Sequence, residues 1–139
     1  MMVEIQHSKI AGVIRLLSEL SLKGKQSRHR SKFIKLLDDR LTELEEDESN
    51  IRKEHCHLDD DGEPKTTNDG ASWDVKEENQ KDFENDILEL REEQFVITGG
   101  DKTEYMKTVK VILDECDKEF SGQEAALYDY LYDQIEQVK

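Results

Sequence analysis

QSRHRSKFIKLLDDRLTELEEDESNIRKEHCH, residues 26–57, decides how this chain folds. Ile34, Leu37, Leu41 and Leu44 keep 3-4-3 spacing and Ile51 resumes it seven residues later, so an apolar stripe follows one side of a helix. The spacing predicts a helix from Gln26 or Ser27 to about His57, with Glu48 interrupting its apolar seam. About 30 residues at 1.5 Å each give roughly 45 Å, more than a small globule covers. The acidic second half is therefore expected to project or to pair with another helix, in the same chain or in a homo-oligomer.

Upstream, Ile10, Val13, Ile14, Leu17 and Leu20 fall on one side of a helix that begins near Ser8, with residues 3–5 as a short strand before it. Gly24 is expected to end that helix. Downstream, Asp59, Asp60, Asp61, Gly62, Pro64, Asn68 and Gly70 are turn formers, and residues 57–72 are expected to be a flexible acidic loop. Trp73 to Val75 suits a short strand. Asp74 and Glu77 have helix-start spacing, after which Phe83, Ile87 and Leu90 mark a helix to about Glu93. Phe95 to Thr98 reads as a strand, stopped by Gly99 and Gly100. Asp101 with Glu104 and Ser121 with Glu124 repeat the capping spacing. The first opens a helix striped by Met106, Val109, Leu113, Cys116 and Phe120. The second opens one striped by Leu127, Leu131, Ile135 and Val138, edged by Tyr128, Tyr130 and Tyr132. The expected architecture is mainly α: a single helical domain over residues 1–139 with one long central helix and a minor β-hairpin or two short strands.

The 139 residues include 20 Lys and Arg against 34 Asp and Glu, a formal charge of -14. Residues 1–40 balance at +5 and residues 41–139 at -19, so the charge is segregated along the chain. An acidic molecule opposes indiscriminate adhesion to nucleic acid or anionic membrane. No apolar run approaches the ~20 residues that span a bilayer, and MMVEIQHSKI lacks the apolar core of a secretion signal. Cys56 and Cys116 are far apart, so reduced thiols and a cytoplasmic setting are expected.

Against that background Lys23, Lys25, Arg28, Arg30, Lys32 and Lys35 follow one another with no intervening acid. Amides at a helix start favour negative charge by about 0.3–1 kcal/mol, so cations there are misplaced unless an anion joins them. A phosphate-bearing ligand meets that need. Arg28 would offer a planar fork, Lys23 and Lys25 mobile ammonium groups, Gly24 a close backbone approach, and Ser27 a hydroxyl beside the open amides. Arg28, Lys32 and Lys35 line one face. Pairing of these cations with the carboxylates of residues 41–139, in the same molecule or in a neighbouring copy, is the alternative. The GxxxxGK[ST] spacing of a nucleotide-hydrolysing loop is absent, and one basic patch without interleaved aromatics does not resemble a DNA reader.

His55, Cys56 and His57 carry metal-capable atoms, yet neighbours on a helix diverge by about 100° each, so no metal site is expected there. Calcium is disfavoured because a loop with Gly62 at its sixth position would need an acid at His57. No nucleophile signature appears, so neither catalysis nor a cofactor is expected. The tyrosines of the last helix are expected at the edge of the core.

KGKQSRHRSKFIKLLDDRLTEL, the DGEP loop, WDVKEENQKDFENDILEL and SGQEAALYDYL together resemble a family of small proteins from phages of Gram-positive bacteria, catalogued as a domain of unknown function. The similarity spans most of the chain. It implies a viral origin and the cytoplasm of an infected cell, and it supplies no catalytic residues. The resulting expectation is a non-enzymatic phage accessory protein that binds a phosphate-bearing ligand, such as a nucleotide signal of bacterial immunity. An acidic, DNA-mimicking module acting on a host protein and a virion assembly factor are the alternatives.

Overall fold

The computed structural model describes residues 1–138. Its elements are β1 (Met2–Gln6), α1 (His7–Ser18), α2 (Gly24–His55), β2 (Thr66–Thr67), β3 (Ser72–Trp73), a 3-10 turn (Glu77–Asn79), α3 (Gln80–Glu92), β4 (Gln94–Thr98), α4 (Lys102–Glu115) and α5 (Gly122–Ile135). The protein is mainly α with minor strands. Two compact units divide the chain: Met1–Leu41 with the chain from Gln94 onward, and Thr42–Glu93.

In the first unit β1 and β4 pair antiparallel, with Val3 opposite Ile97 and Ile5 opposite Phe95. The two-residue period of a strand sends Val3, Ile5 and Ile97 to one face, and all three are buried. Helices cover that face. Ile10, Val13, Leu16 and Leu17 line the inner side of α1, Phe33 and Leu37 that of α2, and Met106, Val109, Ile112 and Leu113 that of α4. Leu131, Ile135 and Val138 complete the core from the end of the chain. Each such side chain contributes about 1.5–3 kcal/mol on leaving water.

Polar contacts fix the edges of this core. The Gln6 backbone N–H donates to the Tyr130 hydroxyl at 2.8 Å, and the Tyr128 hydroxyl donates to the Leu113 carbonyl at 2.5 Å. The tyrosines of α5 thus rim the core, as their positions suggested. Arg40 donates through Nε to His7 Nε2 at 3.2 Å and lies 5.0 Å from the Phe95 ring centre. Where α1 approaches α5, Gly12 leaves room for Leu127: a Cβ there would stand 2.6 Å from Leu127 Cδ2, and that side chain would have to shift.

Some boundaries differ from those expected. Gly24 opens α2, at φ +59°, while α1 already stops at Ser18. The reason is Arg30, whose guanidinium donates to the carbonyls of Leu17 (3.1 Å) and Leu20 and so closes the end of α1 from outside. At α4 the helix ends at Glu115, leaving Cys116 and Phe120 beyond it. Ile112 takes the buried place instead. Neither Asp101 nor Ser121 makes a side-chain capping bond.

The second unit is built differently. Arg91 Nε meets Glu48 at 3.4 Å, while Asp86 and Phe83 meet His55, so rising numbers on α2 match falling numbers on α3. The acidic half of α2 therefore has an antiparallel partner in its own unit. Only Leu44 and Cys56 are buried apolar residues here, and α3 buries none. Arg52 lies at the centre, 2.8 Å from Glu45, 3.7 Å from Glu48 and 4.5 Å from the Trp73 ring centre. The segment after α2 is a hairpin arrangement: Thr66 pairs with Trp73 and Thr67 with Ser72, while Cys56 bridges Val75 and Leu58 bridges Pro64. Asn68, Asp69 and Gly70 make its tip with positive φ, and Asp59 Oδ1 accepts the N–H groups of Asp61 and Glu63. The acids of this loop act in part as turn formers.

Candidate functional site

Four of the predicted cations stand together. Steps of three and four residues put Lys25, Arg28 and Lys32 on one exposed face at the start of α2, spread over about 10 Å, with exposed Lys23 immediately before the helix. None of these four has a carboxylate partner among the described residues. Lys35 shares their face but pairs with Asp39 at 3.2 Å. Because both members are exposed, that pair contributes about 0.3–0.5 kcal/mol and competes weakly with any ligand.

Arg30 and Ser27 lie elsewhere. Arg30 faces α1, where its charge is spent on backbone carbonyls, so it belongs to the fold. Ser27 lies about 100° around the helix from Arg28, and its carbonyl accepts the Ser31 hydroxyl at 3.0 Å. Gly24 has open space where a Cβ would project.

The row changes its neighbours. The pKa of His29 lies below its ordinary 6.5, first because burial disfavours the charged ring and then because Lys25, Lys32 and Arg28 repel a further positive charge. Its Nδ1 lies 2.7 Å from the Thr108 hydroxyl. A neighbouring cavity of about 410 Å3 is lined by Glu19, Gln26, Glu115, Asp117 and Lys118 among others. Three carboxylates against one lysine make it a poor phosphate pocket, so an anion would be met on the open face of the helix.

The HCH segment does not act as one group. His57 is exposed, and its backbone joins the hairpin through bonds to Asp74 (2.9 Å) and Lys65 (2.8 Å). Burial pushes the Cys56 thiol above its ordinary pKa, with nearby Asp74 adding to that and Arg52 opposing it, so it makes a poor nucleophile. His55 is 5 % exposed, and its Nε2 lies 2.7 Å from Asp86 Oδ2. Glu54, His55 and Asp86 each place one potential ligand atom within 4.8 Å of the others. Residue spacing on α2 alone could not reveal this group, because its third member arrives from α3.

The fold and its surface define a mainly α protein with a small antiparallel sheet and, at the start of its longest helix, a row of cations without a carboxylate partner among the described residues. The family model described as "Protein of unknown function (DUF1617)" matches residues 1–139, and the chain belongs to that family. No curated protein and no solved structure matches it. Among the described residues no helix is long and apolar enough to cross a membrane.

Proposed function

We propose that this is a non-enzymatic phage accessory protein that holds a phosphate-bearing ligand on the first turns of α2. The observation that supports it is the row Lys23, Lys25, Arg28 and Lys32, without a carboxylate partner among the described residues, in a protein of formal charge -14. Four like charges within about 10 Å repel one another and the positive helix start, and an anion relieves both. Arg28 grips a phosphate through two N–H groups, the lysines adapt around it, and Lys35 can exchange Asp39 for the ligand. An open face favours a ligand with several phosphates over one that must be enclosed. Sequestration of a nucleotide signal of bacterial immunity, in the cytoplasm of an infected cell, is the concrete version.

Calorimetry against a panel of mono-, di- and cyclic nucleotides and pyrophosphate tests it. The double variant Arg28→Ala, Lys32→Ala should weaken binding at least tenfold, since charge-assisted hydrogen bonds contribute about 1.5–3 kcal/mol each. Arg30→Ala should act through the stability of α1 and leave the affinity of folded protein nearly unchanged. A panel without any response sinks the proposal.

A second function has its own support. Thr42–Glu93 holds twenty acidic residues against six basic ones, a balance of -14, while the rest of the chain is neutral. Such a unit can dock on a basic host protein and imitate DNA. A pull-down from host lysate across a salt series separates the two functions, because this one requires a protein partner that salt releases.

A further inference from the structure

We propose that Glu54, His55 and Asp86 form a binding site for a divalent transition-metal ion that ties the end of α2 to α3. The three donors come from two helices and lie within 4.8 Å of one another. A four-coordinate ion with bonds of about 2.0–2.2 Å holds its ligands roughly 3.4 Å apart, so the widest pair needs to close by no more than about 1.4 Å. Glu54 is exposed and can make that movement by rotating its side chain. His55 Nε2 and Asp86 Oδ2, now 2.7 Å apart, have to open by about 0.7 Å to admit the ion.

His55 is the fixed point. It is buried and packs T-shaped with Phe83, at 6.1 Å between ring centres and 72° between ring planes. A ring so held presents Nε2 to the carboxylates without first losing rotational freedom. Its Nδ1 is buried without a hydrogen-bond partner among the described residues, so Nε2 is the ring atom through which His55 meets polar neighbours.

Charge points the same way. Two carboxylates beside an imidazole contribute to the -14 formal charge of this unit, and a divalent cation cancels the local excess. The donor set selects the class of ion. One imidazole nitrogen with two carboxylate oxygens suits zinc or a related first-row ion, whereas calcium needs six to eight oxygens. Solvent reaches the exposed Glu54 and half-buried Asp86, so water can fill the remaining positions. A small unit with two buried apolar side chains also gains from a cross-link between its helices.

The test uses full-length protein stripped of metal, titrated with Zn2+ by calorimetry and with Co2+ by visible absorption. One equivalent should bind saturably, raise the melting temperature and give the absorption bands of a low-symmetry cobalt site. Asp86→Asn, which keeps a hydrogen-bond partner for His55, and Glu54→Gln should each weaken binding at least tenfold with unchanged circular dichroism. His57→Ala should leave binding intact. Absence of saturable binding, full affinity in both carboxylate variants, or an equal rise in melting temperature with Mg2+ would overturn the site. The last two outcomes would mean diffuse attraction to an acidic surface, and the first a hydrogen bond between His55 and Asp86 alone.

Discussion

The two units of this protein are held together by different means. The first, neutral in total, buries a sheet face under four helices, and sixteen of the eighteen buried apolar residues belong to it. The second carries the whole net charge and closes around Arg52, Leu44 and a short hairpin. Apolar burial loses little to salt or pH, whereas a structure fixed by ion pairs among excess acids responds to both. The contrast teaches that one chain can combine an invariant scaffold with a condition-sensitive surface.

The largest effect should come from the first unit. Phe33→Ala should cost about 3–5 kcal/mol in urea unfolding, against about 2 kcal/mol for Leu44→Ala in the second. Equal losses would remove the contrast. Arg52→Ala comes next, at about 1–2 kcal/mol, because it loses two carboxylates and the Trp73 face together. Faster amide exchange confined to Thr42–Glu93 would sharpen the comparison, and loss of protection throughout the chain would break it.

Gly24→Ala should cost about 1 kcal/mol, since φ of +59° strains a side chain although space is open. The smallest effect is the titration of His29. Its folded pKa lies below the unfolded value, so its contribution to stability is present above about pH 6.5 and is lost as pH falls through the folded pKa. Ring-proton NMR should follow this titration. Saturating pyrophosphate should raise the His29 pKa by offsetting the repulsion from Lys25, Lys32 and Arg28, and an unmoved titration would separate the ring from the cation row.

Much of the helical plan could be read from spacing alone. Ile34, Leu37 and Leu44 marked α2, and the short apolar stretches at residues 3–5 and 95–98, the second stopped by Gly99 and Gly100, marked the two strands of the main sheet. Their pairing was not visible, because β1 and β4 lie some ninety residues apart and nothing local encodes the partner. The end of α1 was also hidden. Gly24 looked like its stop, but a side chain on another helix supplies the hydrogen bonds that stop it earlier. For the same reason the run of six cations could not be sorted by sequence. Arg28 and Lys32 share a face that periodicity reveals, while the role of Arg30 depends on tertiary neighbours. The meeting of His55 with Asp86 is a contact of the folded unit across thirty-one residues.

The turn at Asn68, Asp69 and Gly70 offers a practical handle. Its residues are exposed and polar, it joins strands of only two residues each, and its backbone already follows a left-handed path. An epitope tag or a single fluorophore inserted there should be tolerated, placing a reporter on the acidic unit at a distance in sequence from the cation row.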